Sequence, residues 1–575
     1  MKTSIRSILA IAIIALIAST VKSNACTNII VTKGASADGS VMVTYAADSH
    51  TQYGELYHHE GKVWPKGSKL KIFSWDSGKY LGEIAQVHRT YSTMGNMNEH
   101  QLIITETTFG GLESLVDTTG ILDYGSIIYI TLQRAKTARE AIKVIAELME
   151  TYGYCSEGES FSIADTEEAW IMEIVGKGVK LDKNGKNINK GANWVAVRIP
   201  DGYISGHANY SRIRQFPLND PENCLYSKDI IRWAKENGYY DGPDENFSFQ
   251  DAFQPASFGV IRGCDTRVWS FFNKLGGGKI GDQDASFYVN YAAGLDTVNR
   301  MPLYIKPSHK LTVKEVADAM RDHFEDTPFD FRHDIGAGPY ECPYRWRPMS
   351  FEYEGKKYEF ERSAATQQTG FWLLGQARGW LPNVIGGIIW FGVDDAATSC
   401  LTPVYSSGTQ APLCFRVGNG NIIKYSDTAA FWLFNRIAQF AYLRYNAVAP
   451  EVQKVADEHE KGALEIIPKI DENALRILKE SKDENRVKAY LTDWSEKFAD
   501  RMFKTFKKLD EYLLVKYIDG NIKKQNPDGS FQTTYSEDYI PMPDQPGYSK
   551  FWYEVLGKEG QAGKIQEVPE GVTTY

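Results

Sequence analysis

Cys26 stands where a secretory leader would be cut. Lys2 and Arg6 form a charged start, and Ser23 and Ala25 put small residues at −3 and −1 of the cleavage point. The apolar run between them, Ile8 to Ala18, covers about 11 residues, too short to cross a bilayer core of about 30 Å as a helix. Removal of residues 1–25 would leave a free α-amine on a cysteine. Such an amine has a reference pKa of about 7.7–8.0, against about 10.4 for lysine. Near neutral pH a share of it is unprotonated, so one residue holds a thiol nucleophile and its own general base. The matching chemistry is amide hydrolysis through a thioester. Two other readings of Cys26 stand beside this one. It is a structural cysteine bound for a disulfide, or the lipid-modified first residue of a bacterial lipoprotein. Ser23, Asn24 and Lys22 argue against the lipoprotein, which normally needs an apolar residue three positions before the cysteine.

Other motifs exclude more than they offer. Gly276–Gly281 has no Ser or Thr after Lys279, so it is no phosphate loop. His58-His59-Glu60 lacks metalloprotease spacing and a clear third ligand, and no CxxC or GxSxG occurs. The expectation is a reaction with no metal and no organic cofactor. Seven cysteines fit one working thiol plus six that pair or stay reduced, with no pairing favoured.

These residues need elements to hold them. Thr27–Thr32 and Val41–Tyr45 read as strands around a turn at Gly34–Gly39. That hairpin brings Asp48, just past the return strand, near Cys26. Further strands are expected at 101–107, 160–165, 169–175, 194–199 and 203–207, with a long helix over 125–152 between them. A loop-rich stretch follows from 217 to 255, with one short helix at 228–236. Ser363–Ser406 is rich in glycine and aromatics, with a buried strand at 385–390. Charge-laced helices are expected at 429–445, 449–482 and 484–517. The pattern predicts an α+β fold, with a signal segment over 1–25, a catalytic domain over 26–428 and a helical C-terminal region over 429–575. Length and composition are those of a globular protein, 575 residues with 43% hydrophobic and 24% charged. The net charge of −9 becomes more negative when Lys2, Arg6 and Lys22 leave with the leader. No basic stripe offers a nucleic-acid surface, and no apolar stretch after the leader reaches membrane-spanning length.

Cys26-Thr27-Asn28-Ile29-Ile30-Val31, followed by Gly34-Ala35-Ser36-Ala37-Asp38-Gly39-Ser40, resembles the opening of the cysteine dipeptidases, a family of N-terminal nucleophile hydrolases. Glu168–Val175, Ala208–Ile213, Ala365–Gly370 and Trp390–Asp395 resemble later segments of that family, so the likeness spans most of 26–406. It implies a four-layer αββα sandwich with the nucleophile on the first strand. By likeness to the related penicillin V acylases and bile salt hydrolases, Asp48 supports the α-amine, Asn209 donates to the oxyanion and Arg267 stabilises the thiolate. Two departures stand out. Tyr45, Ala46 and Ala47 occupy positions where those acylases carry an arginine, and Thr107 and Thr108 stand where a second oxyanion asparagine is expected.

The expectation is an exported, periplasmic or secreted cysteine dipeptidase acting on small peptides. A dipeptidase must recognise a substrate ammonium, and Glu106, at the end of a strand, is the acid selected for this. The alternatives are an acylase cleaving a non-peptide amide, such as an N-acyl amino acid or a bile-acid conjugate, and an exported binding protein in which Cys26 is structural. Oligomeric state and side-chain preference are not written in these residues.

Overall fold

The computed structural model describes residues 25–533, 541–560, 565 and 567–570. The leader expected over 1–25 lies outside the described residues, apart from Ala25. The chain opens with β1 (Ala25–Val31) and β2 (Val41–Asp48), paired antiparallel with Cys26 opposite Ala47 and Ala25 opposite Asp48. Gly39, with φ +78°, takes a left-handed conformation in the connection that a side chain would strain. The remaining long strands are β3 (Ile103–Gly110), β4 (Gly158–Ala164), β5 (Ala169–Gly176), β6 (Ala192–Arg198), β7 (Ile204–His207), β8 (Thr369–Ala377), β9 (Gly387–Val393) and β10 (Thr402–Tyr405). They form two sheets. One runs β7-β1-β2-β8-β9-β10, with Tyr304–Ile305 outside β7. The other runs β6-β5-β4-β3, flanked by Cys224–Tyr226 on one side and by short strands at 97–98, 93–94 and 58–59 on the other.

Alternation along the strands sends side chains to both faces of each sheet. Val41, Val43 and Tyr45 of β2 share one core with Ile103 of β3, Ile171 of β5 and Leu373 of β8, so side chains of both sheets meet. On the other face of the first sheet, Ile29, Met42, Trp372 and Trp390 pack against α3 (Thr266–Leu275) and α4 (Val313–Met320). On the far face of the second, Ile104, Phe161 and Met172 pack against α1 (Tyr124–Leu132) and α2 (Ala138–Tyr152). The fold is α+β.

The helix expected over 125–152 is two helices. The Thr137 side chain accepts from the Glu140 backbone nitrogen and starts α2 anew after the break at 133–137. Ser363–Ser406 holds more strand than its glycines suggest, because β8 is buried on both faces and its run Thr369–Ala377 lacks a two-residue period. Helices α5 (Ala430–Leu443), α6 (Tyr445–Ser481) and α7 (Glu484–Lys516) fall close to the expected C-terminal helices. They do not stand apart from the sheets. Phe434, Ile437 and Phe506 join the inter-sheet core, and Ile467 and Leu491 join the core outside β1 and β2.

Candidate active site

Cys26 lies at the start of β1 with 4% of its surface exposed. Its backbone nitrogen, a peptide nitrogen here because Ala25 precedes it, donates to Asn209 Oδ1 at 2.9 Å. Its Sγ donates to Glu106 Oε1 at 3.4 Å. Asn209 sits two residues past β7 with φ +63°, a left-handed conformation that asparagine tolerates better than most residues. Its Nδ2 donates to Thr108 O at 2.7 Å, and its Oδ1 also accepts from Arg267 at 3.0 Å. These partners fix the amide with its oxygen toward the Cys26 nitrogen. Oxyanion donation by Asn209, expected from the resemblance, would rest on its second N–H. The threonine hydroxyls are engaged elsewhere, Thr107 with His207 at 2.8 Å and Thr108 with Glu159 at 2.8 Å.

Arg267 lies in the interior with 1% exposure, in the first turn of α3, directly after a π-helical turn over Ile261–Asp265. Its guanidinium donates to Cys26 O at 2.7 Å, to Thr27 Oγ1 at 2.6 Å and to Ala208 O at 3.0 Å. It therefore ties the β1 backbone to the turn that carries Asn209. Among the described residues it makes no hydrogen bond to the sulfur. Burial and then Arg362 pull its pKa down to about 9.

Asp48, at the end of β2, is buried with Oδ1 accepting from Thr369 Oγ1 at 2.6 Å and Oδ2 ion-paired to Arg362. Burial raises its carboxyl pKa, and Arg362 opposes that rise. Arg362 was not among the candidates from sequence. It supplies a cation beside Asp48 from far along the chain, in a site that lacks the arginine expected just upstream.

Glu106, on β3 with 1% exposure, accepts from both the Cys26 thiol and the Tyr45 hydroxyl. It pairs with Glu159 of β4, the residue cross-strand from Thr108. Burial raises both carboxyls, Glu159 further because Glu106 stands beside it. Two buried carboxyls in contact cannot both ionise cheaply, so the pair shares a proton between them. Burial, then Glu106, then Asp48 push the Cys26 thiol well above its usual range, and a backbone hydrogen bond from Asp48 pulls the other way. The sulfur at rest is a thiol. The arrangement thus brings Cys26, Glu106, Asn209 and Arg267 into one network, with Asp48 on the neighbouring strand. Glu159, Tyr45 and Arg362 complete it; the sequence marked Tyr45 only as a departure from the arginine of the related acylases, and gave no signal for Glu159 or Arg362. None of the seven cysteines is joined in a disulfide.

The sequence pattern of peptidase family C69 matches residues 62–458, more than half of the chain. A relative named "Probable dipeptidase" from Salmonella dublin is 25% identical over 409 residues, covering 66% of this chain and 81% of its own. "Probable dipeptidase B" of Lactococcus lactis subsp. lactis is 23% identical over 506 residues, covering 84% and 94%. "Dipeptidase A" of Lactobacillus helveticus is 25% identical over 453 residues, covering 74% and 83%.

Proposed function

The chain belongs to peptidase family C69, and from that premise we propose that it is a dipeptidase whose nucleophile is Cys26, freed as the first residue when an export leader is removed. The observation that carries this reading is the pair of contacts at Cys26, its nitrogen 2.9 Å from Asn209 Oδ1 and its sulfur 3.4 Å from Glu106. Once residue 25 is gone, the nitrogen is an amine, and Asn209 Oδ1 accepts one of its hydrogens and aims its lone pair. The thiol, held protonated by burial and by Glu106, needs a base at the moment of attack, and the amine is in the same residue. The two sheets with helices on their outer faces support the αββα architecture of N-terminal nucleophile hydrolases.

The reaction runs in two halves. The amine takes the thiol proton as sulfur bonds to the scissile carbonyl carbon. Backbone N–H groups and the free Asn209 N–H stabilise the oxyanion. The C–N bond breaks, the leaving amine takes the proton from the Cys26 ammonium, and a thioester remains. Water then adds to the thioester with the amine again as base, and the carboxylic acid leaves the sulfur as a thiol. Glu106 carries the negative charge that meets the substrate ammonium. Export rests on the leader pattern of residues 1–25.

The test compares chains that begin at Cys26, verified by intact mass, with chains that keep a Met-Ala extension. The first should hydrolyse free dipeptides. The second should be slower by roughly 10²–10⁴-fold, because an amide nitrogen is no base. Equal activity in verified extended protein would overturn the amine as base. Cys26→Ala should be inactive, and an unimpaired binding function in that variant would favour the structural reading of Cys26. Equal cleavage of free and N-acetylated dipeptides would favour the acylase reading.

A further inference from the structure

A hollow of about 10 Å³, enough for one oxygen-sized group, is lined by Arg345, Arg347, Glu361, Arg362 and Gln368. Two links join it to the Cys26 network. Arg362 is ion-paired to Asp48, whose backbone N–H is bonded to the Cys26 sulfur. The Gln368 carbonyl accepts from the Ser49 nitrogen at 2.9 Å, one residue past Asp48. Charge around the hollow does not balance. Glu361 is paired with Arg262, Arg345 with Asp334 and Arg362 with Asp48. Arg347, half-buried, forms no ion pair among the described residues, and its Nε donates to Gln368 Oε1 at 2.5 Å. Burial and then Arg362 pull the Arg347 pKa down, and Asp48 is the acid that opposes them. His50 is pushed down by burial, then by Arg347 and Arg362. One positive charge is left over beside Asp48.

A second observation points to an anion as the occupant. Gln368 is 5% exposed. The Arg347 bond to its oxygen fixes the amide, so Nε2 is the donor end, and that buried Nε2 finds no acceptor among the described residues. An unsatisfied N–H beside an unpaired guanidinium is a set of donors without an acceptor. Water would satisfy the amide and leave the charge; a carboxylate answers both, with one oxygen in the hollow and the other toward the guanidinium. A dipeptide carries such a group close to its scissile bond. Extended, its two residues span about 7 Å, with the ammonium on one side of the amide and the carboxylate on the other. Glu106 reaches Cys26 from the facing sheet, whereas Gln368 lies next to Thr369, the cross-strand partner of Asp48 in the sheet that carries Cys26. The two ends of the substrate thus have separate places.

We infer that Arg347 and Gln368 receive the C-terminal carboxylate of the dipeptide, so that the enzyme reads the free acid end of its substrate. The inference rests on the dipeptidase reading above. The experiment measures kcat/KM of protein beginning at Cys26 for Ala-Ala, Leu-Leu and the C-terminal amide of each. The wild type should favour each free acid over its amide by roughly tenfold or more, because an amide end leaves the guanidinium unpaired. Arg347→Met should cut that preference by roughly tenfold, mainly through a higher KM for the free acid. Arg347→Lys should restore part of it, keeping the charge and losing the planar fork. Gln368→Met should lower the same preference with Arg347 intact. A purely structural Arg347 would lower acid and amide alike and leave the preference unchanged, which would overturn the assignment. Equal kcat/KM for acid and amide in the wild type would overturn the carboxylate site and leave the dipeptidase standing. Failure to cleave any dipeptide would overturn both.

Discussion

Replacing Glu106 with Gln removes a buried carboxyl 3.4 Å from the Cys26 sulfur and keeps the side chain's shape. Two effects should follow, and they are measured separately. The thiol loses a repulsive neighbour, so its raised pKa should fall and iodoacetamide should modify Cys26 faster at fixed pH. The preference for free over N-acetylated dipeptides should shrink, because the substrate ammonium loses its partner. Faster alkylation with unchanged discrimination would move substrate recognition to another acid. Cys26 could be singled out from sequence because a leader and a cleavage site are local patterns. Glu106 was selected from its place at a strand end, with no contact to support it. Arg362 and Glu159 left no such trace. Arg362 meets Asp48 across 314 residues of chain, and Glu159 meets Glu106 only through strand pairing. Asn209 was legible as a site residue, yet which end of its amide faces Cys26 depends on Thr108 and Arg267, and those partners are set by the folded backbone.

The strands of both sheets were largely legible as β-rich runs bounded by turn residues, although β2, β4, β5 and β9 are buried along their whole length. Strand β8, also buried from Thr369 to Ala377, was missed because Gly370 and Gly375 within it read as loop. The helices α5 to α7 were legible, but their attachment was not, since it depends on apolar and polar contacts between segments distant in the chain. One such contact invites a test. Arg378, just past β8, pairs with Asp471 of α6 at 2.5 Å, and the Tyr405 hydroxyl at the end of β10 donates to the same carboxylate at 2.7 Å. Asp471→Ala would leave a buried guanidinium uncompensated, at a cost of about 3–5 kcal/mol. Denaturant unfolding should register that loss, whereas Asp493→Ala, at an exposed pair on α7, should change stability by no more than about 0.5 kcal/mol. Equal effects would mean that α6 does not depend on this link.

At the scale of the whole molecule, buried titrating groups pull stability in opposite directions with pH. Asp394, at the end of β9, has its pKa raised by burial to about 7. A carboxyl raised in the folded state contributes stability that is present below its unfolded pKa and lost as pH rises through 7. His207, buried between Thr107 and Ser162, is lowered by burial to about 3. Its contribution is present above about 6.5 and lost as pH falls toward 3. Between about pH 4 and 6.5 the two contributions offset each other, so Asp394→Asn should leave stability rising from pH 4 to 6.5 where the wild type stays level, a gain of up to the order of 4 kcal/mol at pH 8. Unfolding free energies from pH 4 to 8 check this, and an unchanged profile in the variant would rule Asp394 out. The clamp around Cys26 has a different consequence. Asn209 and Arg267 hold the residue while Ala25 is still attached. On the function proposed above, latency is then a matter of valence at a single nitrogen. The same placement makes a freed Cys26 a 1,2-aminothiol, which condenses with aldehydes to a thiazolidine that engages both of its reactive atoms. An aldehyde shaped to enter beside Glu106 would close the enzyme at one residue and pass over its other six thiols.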